Sequence, residues 1–99
     1  MFSIEYAEGV VHDLAGLRPF DRRRLLDAIE VQLTHQPATE TRNRKVLVGL
    51  RPPWHHEPPV WELRAGEHRV FYDVDDAGRR VIIRAVRRKP PHKTTEQVL

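Results

Sequence analysis

The sequence predicts one α+β domain over residues 1–99, in which an N-terminal strand and two helices pack on a mainly antiparallel, twisted sheet. Apolar residues in the first third of the chain recur every three or four positions, which is the spacing of helices that bury one face. After residue 60, apolar and polar residues alternate around two glycine-containing turns, as in an antiparallel meander. A chain of 99 residues suits one compact domain and is too short for two.

The N-terminal third is predicted to hold a strand followed by two helices. Residues 2–6 alternate apolar and polar side chains and predict a short strand. Apolar residues at helical spacing over 10–17 predict the first helix, which ends before Pro19 because proline disfavours the helical conformation in the residue before it. Asp21 can cap a second helix that runs to about His35, because its carboxylate can accept hydrogen bonds from unpaired backbone N–H groups.

The rest of the chain is predicted to be β-structure interrupted by one stiff loop. Val46–Val48 is a short strand, and the four prolines of Arg51–Pro59 disfavour regular structure there. The strands Val60–Ala65 and His68–Val74 flank a tight turn, and a second turn precedes the strand Val81–Val86. We therefore expect a three-stranded meander in the C-terminal part of the domain.

Composition excludes several classes of protein. No apolar run approaches the roughly 20 residues that cross a bilayer, and no N-terminal signal peptide is present, so we expect a cytoplasmic protein without membrane contact. The absence of cysteine excludes disulfides, a thiolate nucleophile and sulfur-ligated zinc. We predict no metal site at His55, His56 and Glu57, because neighbouring side chains point apart and no further ligand has suitable spacing.

Charge is distributed unevenly along the chain, whose net charge is +3. Residues 1–41 carry 4 Lys/Arg and 7 Asp/Glu, a net of −3, whereas residues 42–99 carry 13 and 7, a net of +6. A basic C-terminal region is the electrostatic footprint of a protein that binds a polyanion. The alternative is a basic surface that only keeps the protein soluble.

The two-residue period of a strand assigns side chains of the first hairpin to the two faces of the sheet. Arg64 pairs with Arg69 across this hairpin, and two facing arginines need a counter-charge from Glu62, Asp73 or a bound phosphate. The face predicted to cover the helices holds Trp61, Leu63, Val70, Tyr72 and Val74, and the opposite face holds Glu62, Arg64, Arg69, Phe71 and Asp73.

The third strand of the meander is expected to continue this pattern. Val81, Ile83 and Ala85 are predicted to face the helices, which sends Arg84 and Arg88 to the opposite face in this register. The basic residues that follow the strand extend the positive charge into the tail. We therefore expect the second face of the sheet to be an open, cationic surface.

The run from Trp61 to Val74, WELRAGEHRVFYDV, resembles the hairpin signature of the RelE/ParE superfamily of type II toxin–antitoxin toxins. Members of that superfamily typically show Leu-Arg, a glycine, an aromatic residue or histidine followed by Arg-Val, and an aromatic residue followed by tyrosine. The order of strand, two helices, meander and basic tail is also similar. The resemblance implies a bacterial toxin that a cognate antitoxin, encoded beside it, neutralises in a hetero-oligomer.

Similarity to the RelE-like branch, which the cationic face favours, implies an endoribonuclease that cleaves mRNA on the ribosome and inhibits translation. In that branch the ribose 2′-OH attacks the adjacent phosphate and leaves a 2′,3′-cyclic phosphate, with no metal and no cofactor. Such a reaction needs cations at the phosphorane, a base for the 2′-OH and an acid for the leaving oxygen. Its partners are the ribosome and mRNA, besides an acidic, partly disordered antitoxin segment expected on the basic sheet and tail.

The resemblance also implies roles for individual residues. Arg69 matches the hairpin arginine that contacts the scissile phosphate, and either Arg88 or Lys89 falls near a second catalytic cation. His92 is the candidate base or acid, because it is the one tail residue whose pKa lies naturally near neutrality. The residues expected to bind RNA are Arg64, Arg84, Arg87 and Lys93.

The chain also departs from the RelE pattern. Val60 and Glu62 stand where RelE has lysines, and no tyrosine follows Tyr72. Two alternatives therefore stay open. One is a ParE-like inhibitor of DNA gyrase without chemistry of its own, and the other is a catalytically inactive relative that binds antitoxin.

Overall fold

The computed structural model describes all 99 residues of the chain. Five strands and three helices follow one another, and none of the helices is long and apolar enough to cross a membrane. The strands are β1 (Ser3–Tyr6), β2 (Arg44–Leu47), β3 (Val60–Ala65), β4 (His68–Asp75) and β5 (Arg80–Arg88), and the helices are α1 (Glu8–Ala15), α2 (Pro19–Leu33) and α3 (Thr95–Val98).

The five strands form one sheet in the order β1-β5-β4-β3-β2. β1 pairs with β5 in parallel, and every other pair is antiparallel, so the predicted α+β class with a mainly antiparallel sheet is confirmed. Backbone bonds at both ends of β1 fix its position, because Phe2 N donates to Thr34 O at 2.8 Å and Ala7 N donates to Ile83 O at 2.8 Å. The first strand thus ties the helices to the edge of the meander.

The main core lies between the sheet and the two long helices, on what we term the helix face. Helical spacing brings Val10 of α1 and Leu25, Ile29 and Leu33 of α2 onto this face, where all four are buried. The predicted facing of the first hairpin is confirmed, because its apolar side chains pack in this core. The buried sheet residues of the cluster are Trp61, Leu63, Val70, Tyr72, Val81, Ile83 and Val86, with Val74 partly buried beside them.

The predicted start of α2 at Asp21 is wrong. The helix begins at Pro19, and Arg18 is its N-cap in an extended conformation (φ −62°, ψ 148°). Proline suits the first helical position because its φ is already helical and its missing N–H would have no partner there. Asp21 lies in the first turn, where its carboxylate is 3.5 Å from the Arg18 guanidinium.

A β-bulge corrects the predicted register of β5. Phe71 pairs with Ala85 but Tyr72 pairs with Ile83, so Arg84 is an extra residue on β5. The side chains of Arg84 and Ala85 consequently lie on the same face, opposite the helices. Ala85 was expected towards the helices, and the prediction fails because one unpaired residue inverts the alternation beyond it.

The second face of the sheet, which we term the loop face, is covered and is not the open surface that the sequence predicted. Two segments lie on it: the loop 48–59 and the C-terminal residues 90–99. Trp54 of the loop packs on Phe71 with ring centroids 5.3 Å apart, and Leu99 packs into the same cluster. The buried members of this second cluster are Val60, Phe71 and Ala85.

A buried ion pair anchors the loop to the sheet. The Asp73 carboxylate is 2% exposed, and its Oδ2 accepts hydrogen bonds from Arg84 Nε and from Glu57 N, both at 2.7 Å. The second carboxylate oxygen, Oδ1, has no hydrogen-bond partner. Because a carboxylate in this position needs its counter-charge, Arg84 belongs to the structure of the loop and not to an exposed surface.

We expect Arg84→Ala to destabilise the fold by about 3–5 kcal/mol, because it leaves the Asp73 carboxylate buried without its counter-charge. Arg80→Ala is the matched control. Arg80 is also on β5, but its ion pair with Asp75 of β4 is exposed, so its loss should reduce stability far less. Urea unfolding of both variants at neutral pH measures the difference. Equal losses of stability in the two variants would contradict the anchoring role of the pair.

Alkaline pH should destabilise the fold through Tyr72. Its buried hydroxyl donates to Pro37 O at 2.7 Å, and burial raises the pKa of Tyr72 well above its usual value. The folded state therefore favours the neutral phenol, so its contribution is complete below a pH of about 10 and is lost as the pH rises further. The free energy of unfolding should then fall by up to about 1.4 kcal/mol per pH unit.

Urea unfolding at pH values between about 8 and 11 measures this dependence. In Tyr72→Phe the free energy of unfolding should fall less steeply with rising pH than in wild type. Tyr6→Phe is the comparison variant. Burial and the Glu30 carboxylate also raise the pKa of Tyr6, but Tyr6 is 37% exposed, so this substitution should reduce the slope less. The same slope in wild type and Tyr72→Phe would show that the buried phenol does not titrate with folding.

Candidate nucleic-acid interface

Three arginines lie side by side on the loop face, near the turn between β3 and β4. Arg64 of β3 is paired with Arg69 of β4, and Arg69 is paired with Arg87 of β5. Neighbouring strands are about 4.8 Å apart, so the three residues form a row across three strands. We term Arg64, Arg69 and Arg87 the arginine row. The sequence predicted the first pair, and the bulge at Arg84 adds Arg87.

The three guanidinium groups differ in the number of contacts that they make with the rest of the protein. Arg69 is 6% exposed, and its Nη1 donates to Gly66 O and His68 O, both at 2.9 Å. Arg87 Nη1 donates to Asp13 Oδ2 at 2.9 Å, and its guanidinium lies 5.1 Å from the Trp54 ring centroid. Arg64 is exposed, and its side chain forms no hydrogen bond or ion pair. Only Arg64 is thus fully available to a ligand.

Burial and charge act on Arg69 in opposite directions. Desolvation is the main cause that lowers the pKa of Arg69, and the neighbouring Arg64 guanidinium lowers it further. The Glu62 carboxylate acts against both and raises it. Arg69 nonetheless carries its positive charge at neutral pH, because an arginine begins from a pKa above 12.

Glu62 is the counter-charge beside the arginine row. It lies two residues before Arg64 on β3, on the same face, and is 3% exposed. Its Oε1 is 3.6 Å from Lys45 Nζ, and its Oε2 accepts a hydrogen bond from Thr95 Oγ1 at 2.8 Å. The expectation that a carboxylate offsets the facing arginines holds for Glu62. The contact with Thr95, 33 residues away, has no signal in the sequence.

Two of the predicted site residues lie away from the arginine row. Arg84 is paired with Asp73 under the loop, with a side chain 16% exposed. Arg88 is paired with His68 beyond the bulge, and its Nε lies 3.3 Å from Glu67 Oε2 in the β3–β4 turn. The expected placement of Arg88 beside Arg69 is wrong, because the extra residue at the bulge inverts the facing of β5 from Ala85 onward.

The predicted tail residues follow β5 and make few contacts. Lys89 N donates to Glu67 O at 2.7 Å, which holds the start of the tail at the β3–β4 turn. His92 and Lys93 are exposed, and their side chains form no hydrogen bond or ion pair. The structure therefore does not bring the His92 imidazole into a fixed position beside the arginine row.

Phosphate is the chemical group that the arginine row suits, because a guanidinium donates paired hydrogen bonds to phosphate oxygens and keeps its charge. Asp13 on α1 holds Arg87 through contacts 74 residues apart in the chain, which no local sequence pattern could indicate. No group of three or more His, Asp or Glu side chains is arranged to hold a metal ion.

Comparison with solved structures identifies the fold. The chain is similar to RelE in the archaeal RelE–RelB complex from Pyrococcus horikoshii OT3, with a TM-score of 0.69, 20% identity, and coverage of 94% of this chain and 98% of that one. The Mycobacterium tuberculosis toxin–antitoxin complex RelBE2 gives a TM-score of 0.69, 21% identity, and coverage of 89% and 98%. The isolated E. coli RelE toxin gives a TM-score of 0.66 and 18% identity, with coverage of 94% of this chain and 89% of that one.

Comparison of the sequence with families and curated proteins gives one match. No curated protein matches the chain. The family described as the ParE toxin of the type II toxin–antitoxin system parDE matches residues 4–89, which include β2 to β5, both long helices and all of β1 except Ser3. The chain therefore belongs to the ParE toxin family, within the RelE/ParE superfamily of type II toxin–antitoxin toxins.

Proposed function

We propose that this toxin is an endoribonuclease that cleaves mRNA on the ribosome and so inhibits translation. The observation that carries the proposal is the arginine row. Three cations on neighbouring strands repel each other unless anions lie between them and offset their charge. Glu62 and Asp13 supply two negative charges for the three guanidinium groups. A phosphate of an RNA strand would supply the remainder.

The proposed reaction transfers the phosphate within the RNA. The 2′ oxygen of one ribose attacks the adjacent phosphorus, the bond from phosphorus to the 5′ oxygen breaks, and a 2′,3′-cyclic phosphate and a 5′-hydroxyl result. A base takes the proton of the 2′-OH, and an acid protonates the leaving 5′ oxygen. Guanidinium groups stabilise the negative charge that develops on the phosphorane, so the arginines themselves supply the electrostatic part of catalysis.

The roles of the residues follow from their places around the row. Arg64 is the first contact for the RNA backbone, and Arg69 holds the scissile phosphate beside it. Lys89 and Lys93 extend the positive charge along the tail, with Arg88 at its start. His92 is our candidate for proton transfer, because it is the one histidine of the tail that follows β5 and an imidazole can both accept and donate a proton.

We infer that an antitoxin is the protein partner of the chain. The similar proteins from P. horikoshii and M. tuberculosis are described as toxin–antitoxin complexes. Exposed, unpaired cations such as Arg64 and Lys93 favour an acidic partner segment, and the complex would be a cytoplasmic hetero-oligomer.

Inhibition of DNA gyrase is the second candidate function. The matching family is the ParE toxin family, and Val60 and Glu62 occupy the positions of the RelE lysines. Arg69 is also engaged with backbone carbonyls of its own turn. In this alternative the arginine row docks on an acidic protein surface and performs no chemistry.

Cell-free translation programmed with purified mRNA separates the two functions, since it contains no gyrase-dependent step. We expect the toxin to produce new mRNA 5′ ends at fixed codon positions, detected by primer extension, only when ribosomes are present. Intact mRNA with a normal yield of protein would contradict the nuclease and favour the gyrase target.

Substitution of the arginine row should weaken RNA binding in a salt-dependent manner. Arg64→Ala should lower the slope of log affinity against log salt concentration by about 0.7, the value for one lost phosphate contact to a single strand. Arg69→Ala should abolish cleavage. The control is Arg23→Ala, since Arg23 is exposed on α2 and lacks any side-chain partner.

Fluorescence anisotropy with a labelled single-stranded RNA measures the salt slopes, and circular dichroism shows whether each variant is folded. Identical slopes for Arg64→Ala and Arg23→Ala would remove Arg64 from the RNA-binding surface. A folded Arg69→Ala variant that still cleaves mRNA would remove Arg69 from the catalytic group.

A further inference from the structure

The C-terminal residues 90–99, which we term the cover, lie across the strand that carries Arg69. The cover starts at β5, where Lys89 N is bonded to Glu67 O, and reaches β3, where Thr95 contacts Glu62. Because β4 lies between β5 and β3, the chain must pass over β4 on the loop face. The strand that the cover crosses is the one that carries Arg69, which is 6% exposed although it belongs to the basic face.

One hydrogen bond joins the cover to the buried charge of the site. Thr95 Oγ1 donates to Glu62 Oε2 at 2.8 Å, and Glu62 is 3% exposed. Thr95 is held for this contact by a capping box at the start of α3. Thr94 Oγ1 accepts a hydrogen bond from Gln97 N at 3.3 Å, and Gln97 Oε1 accepts one from Thr94 N at 2.9 Å.

One apolar contact completes the attachment. Leu99 packs against Val60, Phe71 and Ala85 at the centre of the loop face. Pro90 and Val98 are partly buried, and the other residues of the cover, Pro91 to Thr94 together with Glu96 and Gln97, are exposed. A segment with so few buried contacts opens at a much lower free energy than the core, so it can open while the sheet stays folded.

We propose that the cover is a gate over Arg69 and Glu62, closed by the Thr95–Glu62 hydrogen bond and opened when an RNA phosphate binds the Arg69 guanidinium. In the closed form Arg69 donates only to its own turn and is shielded from solvent. When the cover leaves, Arg69 and Glu62 become accessible together, beside the already exposed Arg64. The gate rests on the proposed function for the identity of its ligand but not for its opening and closing.

The absence of cysteine allows a reversible lock of the gate. In the double variant Glu62→Cys/Thr95→Cys, a short bis(methanethiosulfonate) reagent can bridge the two thiols, because the wild-type side chains already touch. Locked protein should lose binding of a fluorescein-labelled single-stranded RNA, and dithiothreitol should restore it. The single variant Thr95→Cys, treated with the same reagent, is the control and should retain binding. Equal RNA binding by the locked and the reduced double variant would overturn the gate.

A second measurement follows the gate without RNA. Phenylglyoxal modifies accessible arginines, so mass spectrometry of Arg69 reports whether the cover is open. Thr95→Val removes the hydroxyl donor at nearly constant shape and should increase the modification rate of Arg69, whereas Thr95→Ser keeps the donor and should match wild type. The rate at Arg64, which is exposed in both states, provides the internal reference.

The two readouts separate failure of the gate from failure of the proposed function. Faster modification of Arg69 in Thr95→Val supports the gate, even where no form of the protein binds RNA, and that combination would overturn only the nuclease. The same modification rate in Thr95→Val, Thr95→Ser and wild type would overturn the gate, whatever the protein does to RNA.

Discussion

The extra residue at the β4–β5 bulge determines which side chains of β5 meet the rest of the loop face. Because Arg84 has no partner on β4, the facing of every later β5 residue is inverted. The inversion puts Ala85 into the second apolar cluster and Arg87 beside Arg69. It also leaves Arg84 free to reach Asp73 and hold the loop. The arginine row and the cover over it both depend on this one irregularity.

The loop face combines an apolar cluster with a group of charges, and the two have opposite requirements. Phe71 and Val60 need to be shielded from water, whereas guanidinium groups on the same strands need solvent or counter-charges. Two short segments, the loop 48–59 and the cover, meet both requirements because each shields only part of this face. Trp54 covers the apolar part and takes the Arg87 guanidinium over its ring, and Glu62 lies between Lys45 and Arg69. A single continuous layer of secondary structure would have buried all the charges.

The fold class, the two helices and the first hairpin could be predicted because their signals are local. The alternation of apolar and polar residues on both sides of Gly66 predicts the pairing of Arg64 with Arg69, and the structure confirms it. The bulge could not be predicted from the sequence. Ile82 and Ile83 are both apolar, so the alternation of apolar and polar residues that would show an inserted residue is already lost before Arg84. The predicted start of α2 is too late because Pro19 indicates a break between two helices, although proline is also common at the first position of a helix. The cover was missed because its contacts join residues far apart in sequence.

The parallel pairing of β1 with β5 has a consequence for the synthesis of the protein. Residues 3–6 acquire their strand partner only when residues 80–83 have left the ribosome, and α1 lacks the strand on which it packs until β5 has been made. Non-local pairing of this kind delays folding until nearly all of the chain is present. Since the arginine row also needs Arg87, no shorter nascent chain contains the complete surface. A nascent chain that stops before β5 therefore cannot present this surface to the ribosome that makes it.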